Sequence, residues 1–434
     1  MINGNLLYKW AEDLFPINRS ISGAGVRKTL RYIKKIIPEL KIKSIPSGKK
    51  VYGWKVPMEW EIKDAFIKDN KGRKIIDFKN NNLHIINYSI PIKKKLTLKQ
   101  LKPNLYSIPK KPNAIPYITS YYSKKWGFCL SHNQLVKLKK QKYEVCIDSK
   151  FKKGKLNYGE IIIPGKSKDE ILLTTNICHP SMGNNETSGI VVTSGLAKWI
   201  KSIKNRFYTY RIIFIPETIG SIAYIHLKKN HLKKRVKAGF VVVCVGDNKT
   251  YSYLASKEGN TLADKAALYV LNKFIKKYKS YSYLDRGSDE RQFGSPGIDL
   301  PLCSIMRSKY GTYPEYHTSL DNLKFISKEG LHGSFKILKK AIEVLEINYK
   351  EKKNYRYKNV YNTFCEPKLS NYNLRDSISS TKSYSHGKLI LNVFYSADGK
   401  RDLADIASKI NADISTVNNI AKKLNKAGLL KIVN

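Results

Sequence analysis

Glu170-Ile171-Leu172-Leu173-Thr174-Thr175-Asn176-Ile177-Cys178-His179-Pro180-Ser181-Met182-Gly183-Asn184-Asn185-Glu186-Thr187-Ser188-Gly189 runs from an apolar stretch through a polar turn into the start of a helical pattern. The stretch 170–177 has the length and near-continuous apolarity of a strand buried on both faces. Gly189–Lys204 then reads as a helix. The unit repeats downstream: Tyr210–Pro216 as strand, Ile222–Lys229 as helix, Phe240–Val245 as strand, Thr261–Lys277 as helix. Strands alternating with helices over 158–348 predict an α/β fold, an αβα sandwich on a mostly parallel sheet.

Upstream, residues 6–15 and 24–37 read as helices, joined by the turn-rich Pro16-Ile17-Asn18-Arg19-Ser20-Ile21-Ser22-Gly23. The texture changes between 51 and 157. Short alternating runs such as Trp60–Ile67 and Tyr143–Asp148, separated by turns such as Asp69-Asn70-Lys71-Gly72, predict a β-rich domain. That domain holds the aromatic stretch Ile115–Tyr122. Its position divides the α/β core into 1–50 plus 158–348. Residues 349–385 are polar and read as a linker. Residues 386–434 read as a separate small domain: helices over Leu389–Tyr395, Leu403–Ile410 and from Asp413 through Leu424, a turn at Asp398-Gly399, and a strand over Gly428–Val433.

The chain has 434 residues, 42% apolar and 26% charged, which suits two or three globular domains and rules out collagen-like and wholly disordered classes. Its longest apolar runs fall well short of the roughly 18–20 residues that span a bilayer. Lys plus Arg number 80 against 34 Asp plus Glu, a net charge of +46. Two explanations stand side by side. One is a basic surface that attracts nucleic acid or another polyanion. The other is drift toward Lys, Ile, Asn and Tyr from an AT-rich coding sequence, which fits the scattering of lysines over 93–95, 139–140, 152–155 and 276–279. Six cysteines form no CxxC pair, so reduced, buried thiols are expected. The N-terminus has no apolar core of signal-peptide length, and a cytoplasmic protein is expected.

Four polar clusters sit at predicted strand ends, where open α/β sheets place ligands. They are Cys178–Gly189 with His179; Pro216-Glu217-Thr218-Ile219-Gly220-Ser221; Arg286-Gly287-Ser288-Asp289-Glu290-Arg291; and Arg307-Ser308-Lys309-Tyr310 with Glu315-Tyr316-His317-Thr318. A carboxylate such as Glu217 at the end of an apolar strand requires a cation, a metal or a raised pKa, because isolated buried charge is costly; its alternative role is to cap the next helix. Two histidines with several carboxylates make a donor inventory suited to zinc.

In this order His179, Asn185-Glu186-Thr187-Ser188-Gly189, Glu217 with Gly220-Ser221-Ile222-Ala223-Tyr224, Ser288-Asp289 with Phe293, and His317-Thr318-Ser319-Leu320-Asp321 resemble the co-catalytic zinc aminopeptidases. The whole chain is similar to a bacterial family described as aminopeptidase-like, through Leu14–Gly23, Pro57-Met58-Glu59-Trp60, Gly127-Phe128-Cys129-Leu130, Pro216–Gly220 and Tyr316–Ser319. The resemblance implies a peptidase-like core, an inserted β-rich domain, a C-terminal winged helix and a link to surface-polysaccharide metabolism. It implies His179 and His317 as metal ligands. Glu217 stands where those aminopeptidases carry two adjacent glutamates, and Asn185 where they carry the Asp that bridges two zincs; Glu186 beside it is a further candidate ligand. Cys244 and Asp247 stand near another usual Asp. These departures favour one zinc per chain, with a second left open.

The resulting expectation is a zinc-dependent hydrolase of a peptide-like or amide-containing small substrate, with Glu217 as general base. Arg286, Asp289, Arg307, Lys309 and Tyr316 are candidate substrate contacts. Two alternatives are a degenerate zinc-binding scaffold for a partner or glycan intermediate, and a nucleic-acid regulator. For the latter, Ser415, Thr416, Asn418 and Asn419 stand where a recognition helix meets DNA, though without an Arg. Whether the aromatic insert lines the pocket or forms a homo-oligomer interface stays open.

Overall fold

A computed structural model describes residues 2–348, 356–360, 367, 369–374 and 381–433. The chain opens with α1 (Gly4–Leu14), α2 (Ala24–Ile36) and β1 (Lys41–Pro46). It then forms the insert's sheet from β2 (Glu59–Lys68), β3 (Lys74–Asp77), β4 (Ile92–Thr97) and β5 (Lys142–Lys152). The core resumes with β6 (Lys155–Ile163), β7 (Glu170–Asn176), α3 (Ser188–Ser202), β8 (Thr209–Ile215), α4 (Ile219–Arg235) and β9 (Val236–Val241). It is completed by β10 (Ser252–Leu254), α5 (Leu262–Phe274), β11 (Lys279–Tyr281), β12 (Leu302–Met306) and α6 (Lys328–Asn348). The last domain holds β13 (Arg356–Asn359), α7 (Thr381–Ser396), β14 (Asp398–Asp402), α8 (Leu403–Lys409), α9 (Ile414–Lys426) and β15 (Leu430–Val433).

The core sheet has the order β1–β6–β8–β7–β9–β12–β10–β11. Its centre is parallel: β7 lies between β8 (Leu173↔Ile212) and β9 (Leu173↔Phe240). Every residue of β7 is buried, as its unbroken apolar run requires. Side chains alternate between faces. Ile171, Leu173, Ile212, Phe214 and Phe240 join one apolar core with α1, α2, α3, α5 and α6. Leu172, Ile213, Ile215 and Val241 join a second with α4 and the insert. Each large side chain taken from water contributes about 1.5–3 kcal/mol, so both faces hold the sheet in place.

The insert leaves from β1 and returns on β6, which pair antiparallel (Lys41↔Glu160). Its sheet is antiparallel with the order β3–β2–β5–β4. The core sheet resumes at Lys155, earlier than the expected 158. In the C-terminal domain, three strands ordered β14–β13–β15 close against α7, α8 and α9, the architecture of a winged helix. Two expectations are corrected. Part of the expected linker 349–385 is the central strand β13; only Tyr357 of its four residues is buried, so no alternating run marks it. The rest of that linker falls in part outside the described residues. Asp398-Gly399 opens β14, with Gly399 at φ +82°, rather than forming a turn between helices.

Among the described residues no helix is long and apolar enough to cross a membrane. Cys129, Cys146, Cys178, Cys244 and Cys303 are free thiols, and all but Cys146 are buried; Cys365 lies outside the described residues.

Candidate functional site

The loops after β7, β8 and β9 and the segment leading to α6 meet at the carboxyl ends of the parallel strands. Ser181, Thr218, Cys244 and His317 have φ of +47°, +62°, +53° and +52°. Such backbone costs about 1–3 kcal/mol per residue and persists where the surroundings over-determine it, commonly at functional sites. The turn entering α3 is π-helical over Gly183–Thr187, with Thr187 N–H donating to Met182 O at 3.0 Å. Such bulges also concentrate at functional sites.

His179 projects from the loop after β7 and is buried. Glu186, on the π-turn, binds it twice. Its Oε1 accepts the His179 backbone N–H at 2.7 Å, and its Oε2 meets Nδ1. Beneath them Arg19, fully buried, donates to His179 O at 2.9 Å, to Leu14 O at 2.8 Å and to Thr187 Oγ1 at 3.2 Å, with Nε 3.4 Å from Glu186 Oε1. Arg19 thus ties the first loop to the site, a role the sequence did not reveal. With Nδ1 engaged, Nε2 faces outward, 3.7 Å from Glu217 Oε2. Burial alone would lower the His179 pKa, but the Glu186 carboxylate and, more weakly, Glu217 outweigh it and raise it. The field at Nε2 therefore favours positive charge.

Glu217 follows β8. Its Oε1 accepts from Ser288 Oγ at 2.9 Å, its backbone N–H points at Cys178 Sγ at 3.2 Å, and its side chain is 23% exposed. Asp289 does not face the opening. It accepts Thr218 N–H at 2.8 Å and Ser221 Oγ at 2.6 Å, holding the strained entry to α4. Burial and then the Glu217 charge raise its pKa.

His317 lies with its ring centroid 5.4 Å from that of His179 and is stacked on Tyr316 at 3.9 Å. Tyr117, from the insert, contacts both rings at 5.1 and 5.2 Å, and its backbone N–H donates to His317 O at 2.9 Å. Burial, with the charge of His179 second, lowers the His317 pKa to about 3, so its imidazole is neutral. Asp321 anchors the same segment by accepting Asn184 N–H at 2.6 Å and Asn185 N–H at 3.0 Å.

The structure brings His179, Glu186, Glu217, His317 and Tyr316 together. It does not bring four of the five expected substrate contacts with them, Asp289 being turned to the entry of α4. Arg286 packs over Tyr283, Arg307 stacks on Tyr251 and bonds Asn248, and Lys309 lies over Tyr281 and Tyr310. None lines the cavity of about 320 Å³ that holds His179, Glu217 and His317.

The donor set fits a zinc ion. His317 Nε2 and Asn185 Oδ1 are buried with no hydrogen-bond partner, and His179 Nε2 faces a carboxylate. Engagement of Nδ1 by Glu186 is the carboxylate–histidine arrangement that presents Nε2 to a metal. The one described trio of His, Cys, Asp and Glu donors within 4.8 Å of one another is Cys178, His179 and Glu186. Its atoms are already committed to each other, and burial, with Glu186 and Glu217 near, pushes the Cys178 thiol well up. That trio is a hydrogen-bonded support rather than a ligand set.

Residues 8–348 match the family described as a domain of unknown function, DUF4910. The chain belongs to this family. Residues 356–432 match a winged helix-turn-helix family. A Clostridium acetobutylicum relative, which bears the provisional name of polysaccharide biosynthesis protein with aminopeptidase-like domain, is 44% identical over 431 residues, covering 99% of this chain and 97% of its own. A crystal structure from the same organism, provisionally described as a peptidase, aligns with a TM-score of 0.90 at 43% identity over 99% of this chain and 96% of that one. A zinc aminopeptidase of Bacillus subtilis aligns at 0.58 with 14% identity, over 79% of this chain and 95% of its own. An aminopeptidase of Aneurinibacillus aligns at 0.52 with 14% identity, over 79% and 94%. At such identity the last two show the fold alone. This DUF4910 chain has an aminopeptidase-like α/β core and a C-terminal winged helix.

Proposed function

We propose that this chain is a metal-dependent amide hydrolase that holds one zinc between His179 and His317. The observation that carries it is the orientation of His179: Nδ1 is engaged by Glu186 while Nε2 faces Glu217 at 3.7 Å, with the His317 ring centroid 5.4 Å from its own and His317 Nε2 unsatisfied. His179 and His317, with Asn185 Oδ1 as the oxygen donor, would hold the ion. Bound zinc polarises a carbonyl and lowers the pKa of water toward ~7. Glu217, fixed through Oε1 by Ser288, is the general base: its Oε2 takes a proton from the attacking water and returns it to the leaving nitrogen. Asn185 carries no charge to bridge a second ion, and burial raises the thiol pKa of Cys244 at the next strand end. Both support one metal. The relative's name links the family to polysaccharide biosynthesis.

Asn185 also favours a second reading, a zinc-holding scaffold without turnover. One experiment separates them. Metal per chain is measured by plasma mass spectrometry on protein purified without chelator or nickel resin. We expect about one zinc, lost on combining His179→Ala and His317→Ala. No zinc after supplementation sinks both readings, and two overturn the single-ion site. Glu217→Gln should keep the metal; if no amide is hydrolysed even by the unaltered chain, the scaffold stands.

A further inference from the structure

The chain carries 80 Lys plus Arg, yet among the described residues none lines the cavity at His179, Glu217 and His317. Arg19 is buried beneath it with each of its three nitrogens hydrogen-bonded, and Arg291 bonds Thr218 Oγ1 from outside. Away from the zinc itself, a substrate carboxylate or phosphate would find no cationic side chain on these walls, the partner such groups require on leaving water. A cationic amino terminus fares no better. Glu217 is the one carboxylate among the lining residues, and the hydrolase reading commits it to the proton of water. The group recognised is therefore uncharged.

The walls say more. Trp54 and Tyr122 meet edge to face at 5.5 Å and are 42% and 57% exposed, so ring surface faces solvent at the cavity mouth. Deeper, Tyr117 and Tyr121 share one hydrogen bond between their hydroxyls at 2.9 Å, which leaves the pair with a spare donor and spare acceptors. Thr119 and Thr218 add hydroxyls, while Ile21 and Ile219 are the aliphatic part of the wall. An apolar ring would be met by aliphatic walls. Flat aromatic faces at a wet mouth, with hydroxyls behind them, match a pyranose, which has a face of C–H bonds and a rim of hydroxyls. The cavity, about 320 Å³, lies at the small end of ligand sites.

We infer that this site takes an uncharged N-acylated amino sugar, its ring against Trp54 and Tyr122 and its amide toward His179 and Glu217, and not a peptide with a free amino terminus. The inference rests on the hydrolase reading for its chemistry and on the cavity walls for its ligand class. In the reaction, water oxygen bonds the acyl carbon and the C–N bond breaks. The nitrogen takes the proton that Glu217 removed and leaves as the amine, while the acyl group leaves as a carboxylic acid.

The test is equilibrium binding of methyl N-acetyl-glucosaminide, with leucinamide as competitor, to the full chain with and without zinc. We expect the glycoside to bind and leucinamide not to displace it. Trp54→Ala and Tyr122→Ala, both at exposed positions, should each weaken binding at least tenfold with zinc content and melting temperature unchanged. Tighter binding of leucinamide, no binding of the glycoside, or indifference to both substitutions overturns the inference. Glycoside binding without release of acetate overturns turnover on this sugar and leaves the ligand class standing.

Discussion

Glu186 decides which nitrogen of His179 is free. Its carboxylate accepts both the backbone N–H and the ring Nδ1, and Arg19 stands behind it. Glu186→Gln keeps the shape and removes the charge that orients the ring and makes it a better donor. Supporting carboxylates of this kind are worth about 10–100-fold in metal affinity. Zinc affinity should fall by that range in chelator competition, and the melting temperature should fall too, because buried Arg19 loses its carboxylate partner; unchanged affinity would show that the ring is held by packing alone. His179 and Glu217 stood out in the sequence because each follows an apolar run, whereas His317, in a polar loop, stood out through its charged neighbours and the His317-Thr318…Asp321 resemblance. Asn185 and Glu186 were legible as a pair but not in their roles, because the π-turn decides which side chain returns to His179. Arg19 was hidden, since its partner His179 O lies 160 residues away. The role of Tyr117 was hidden for the same reason: only the folded insert brings it to the two histidines.

At the level of elements, the winged helix docks on the core through the start of α9. Tyr269 on α5 donates to Ala412 O at 3.2 Å and accepts Ile414 N–H at 2.9 Å, and Lys273 donates to Asn411 O at 3.2 Å and to Asn411 Oδ1 at 3.0 Å. Ile414, on the first turn of the expected recognition helix, is buried. Glu343, Glu346 and Asp413 line the cleft beside it, together with Lys340. Ser415, Asn419, Lys422, Lys423 and Lys426 remain exposed. Tyr269→Phe removes both hydrogen bonds and leaves a buried carbonyl and amide unpaired. The cost should be about 1–3 kcal/mol, read as a lower urea midpoint for the transition that includes the C-terminal domain. No change would mean that apolar contacts alone hold the domain. The helices of this domain were readable from their period of 3.6. Strand β13 was not, since one buried tyrosine in four residues gives no pattern, and its pairing with β14 and β15 is set by residues 40 to 77 positions away.

For the whole molecule, the charge of +46 is spread over the surface rather than gathered into a tail. The edge strand β4 shows the pattern: Lys93, Lys94 and Lys95 are all exposed, which discourages edge-to-edge pairing. Among so many cations, the carboxylates that matter for stability are buried and paired. Arg211 on β8 donates to Glu160 on β6 at 2.6 Å and to Glu170 on β7 at 2.7 and 2.8 Å, stitching three strands of the core sheet. Burial alone would raise the pKa of both acids. The Lys43 and Tyr224 bonds and then the Arg211 charge at Glu160, and the Arg211 bonds and charge with His231 at Glu170, outweigh it and lower both. A depressed carboxylate contributes stability that is fully present above its unfolded value, about 4.3, and is lost as pH falls through the folded value. The urea midpoint should therefore decline below about pH 4.3. Self-repulsion of the cations adds to that decline, so the wild type alone cannot apportion it. Arg211→Met does, because the background charge is nearly common to both chains. At pH 7 the variant buries Glu170 with only His231 as partner, a loss of about 3–5 kcal/mol. Its Glu170 pKa is then raised by burial, so acidification neutralises the stranded charge and relieves the variant while it weakens the wild type. The stability gap should shrink by half or more between pH 7 and pH 4. A gap that is constant with pH would mean that Arg211 acts through packing and not through charge.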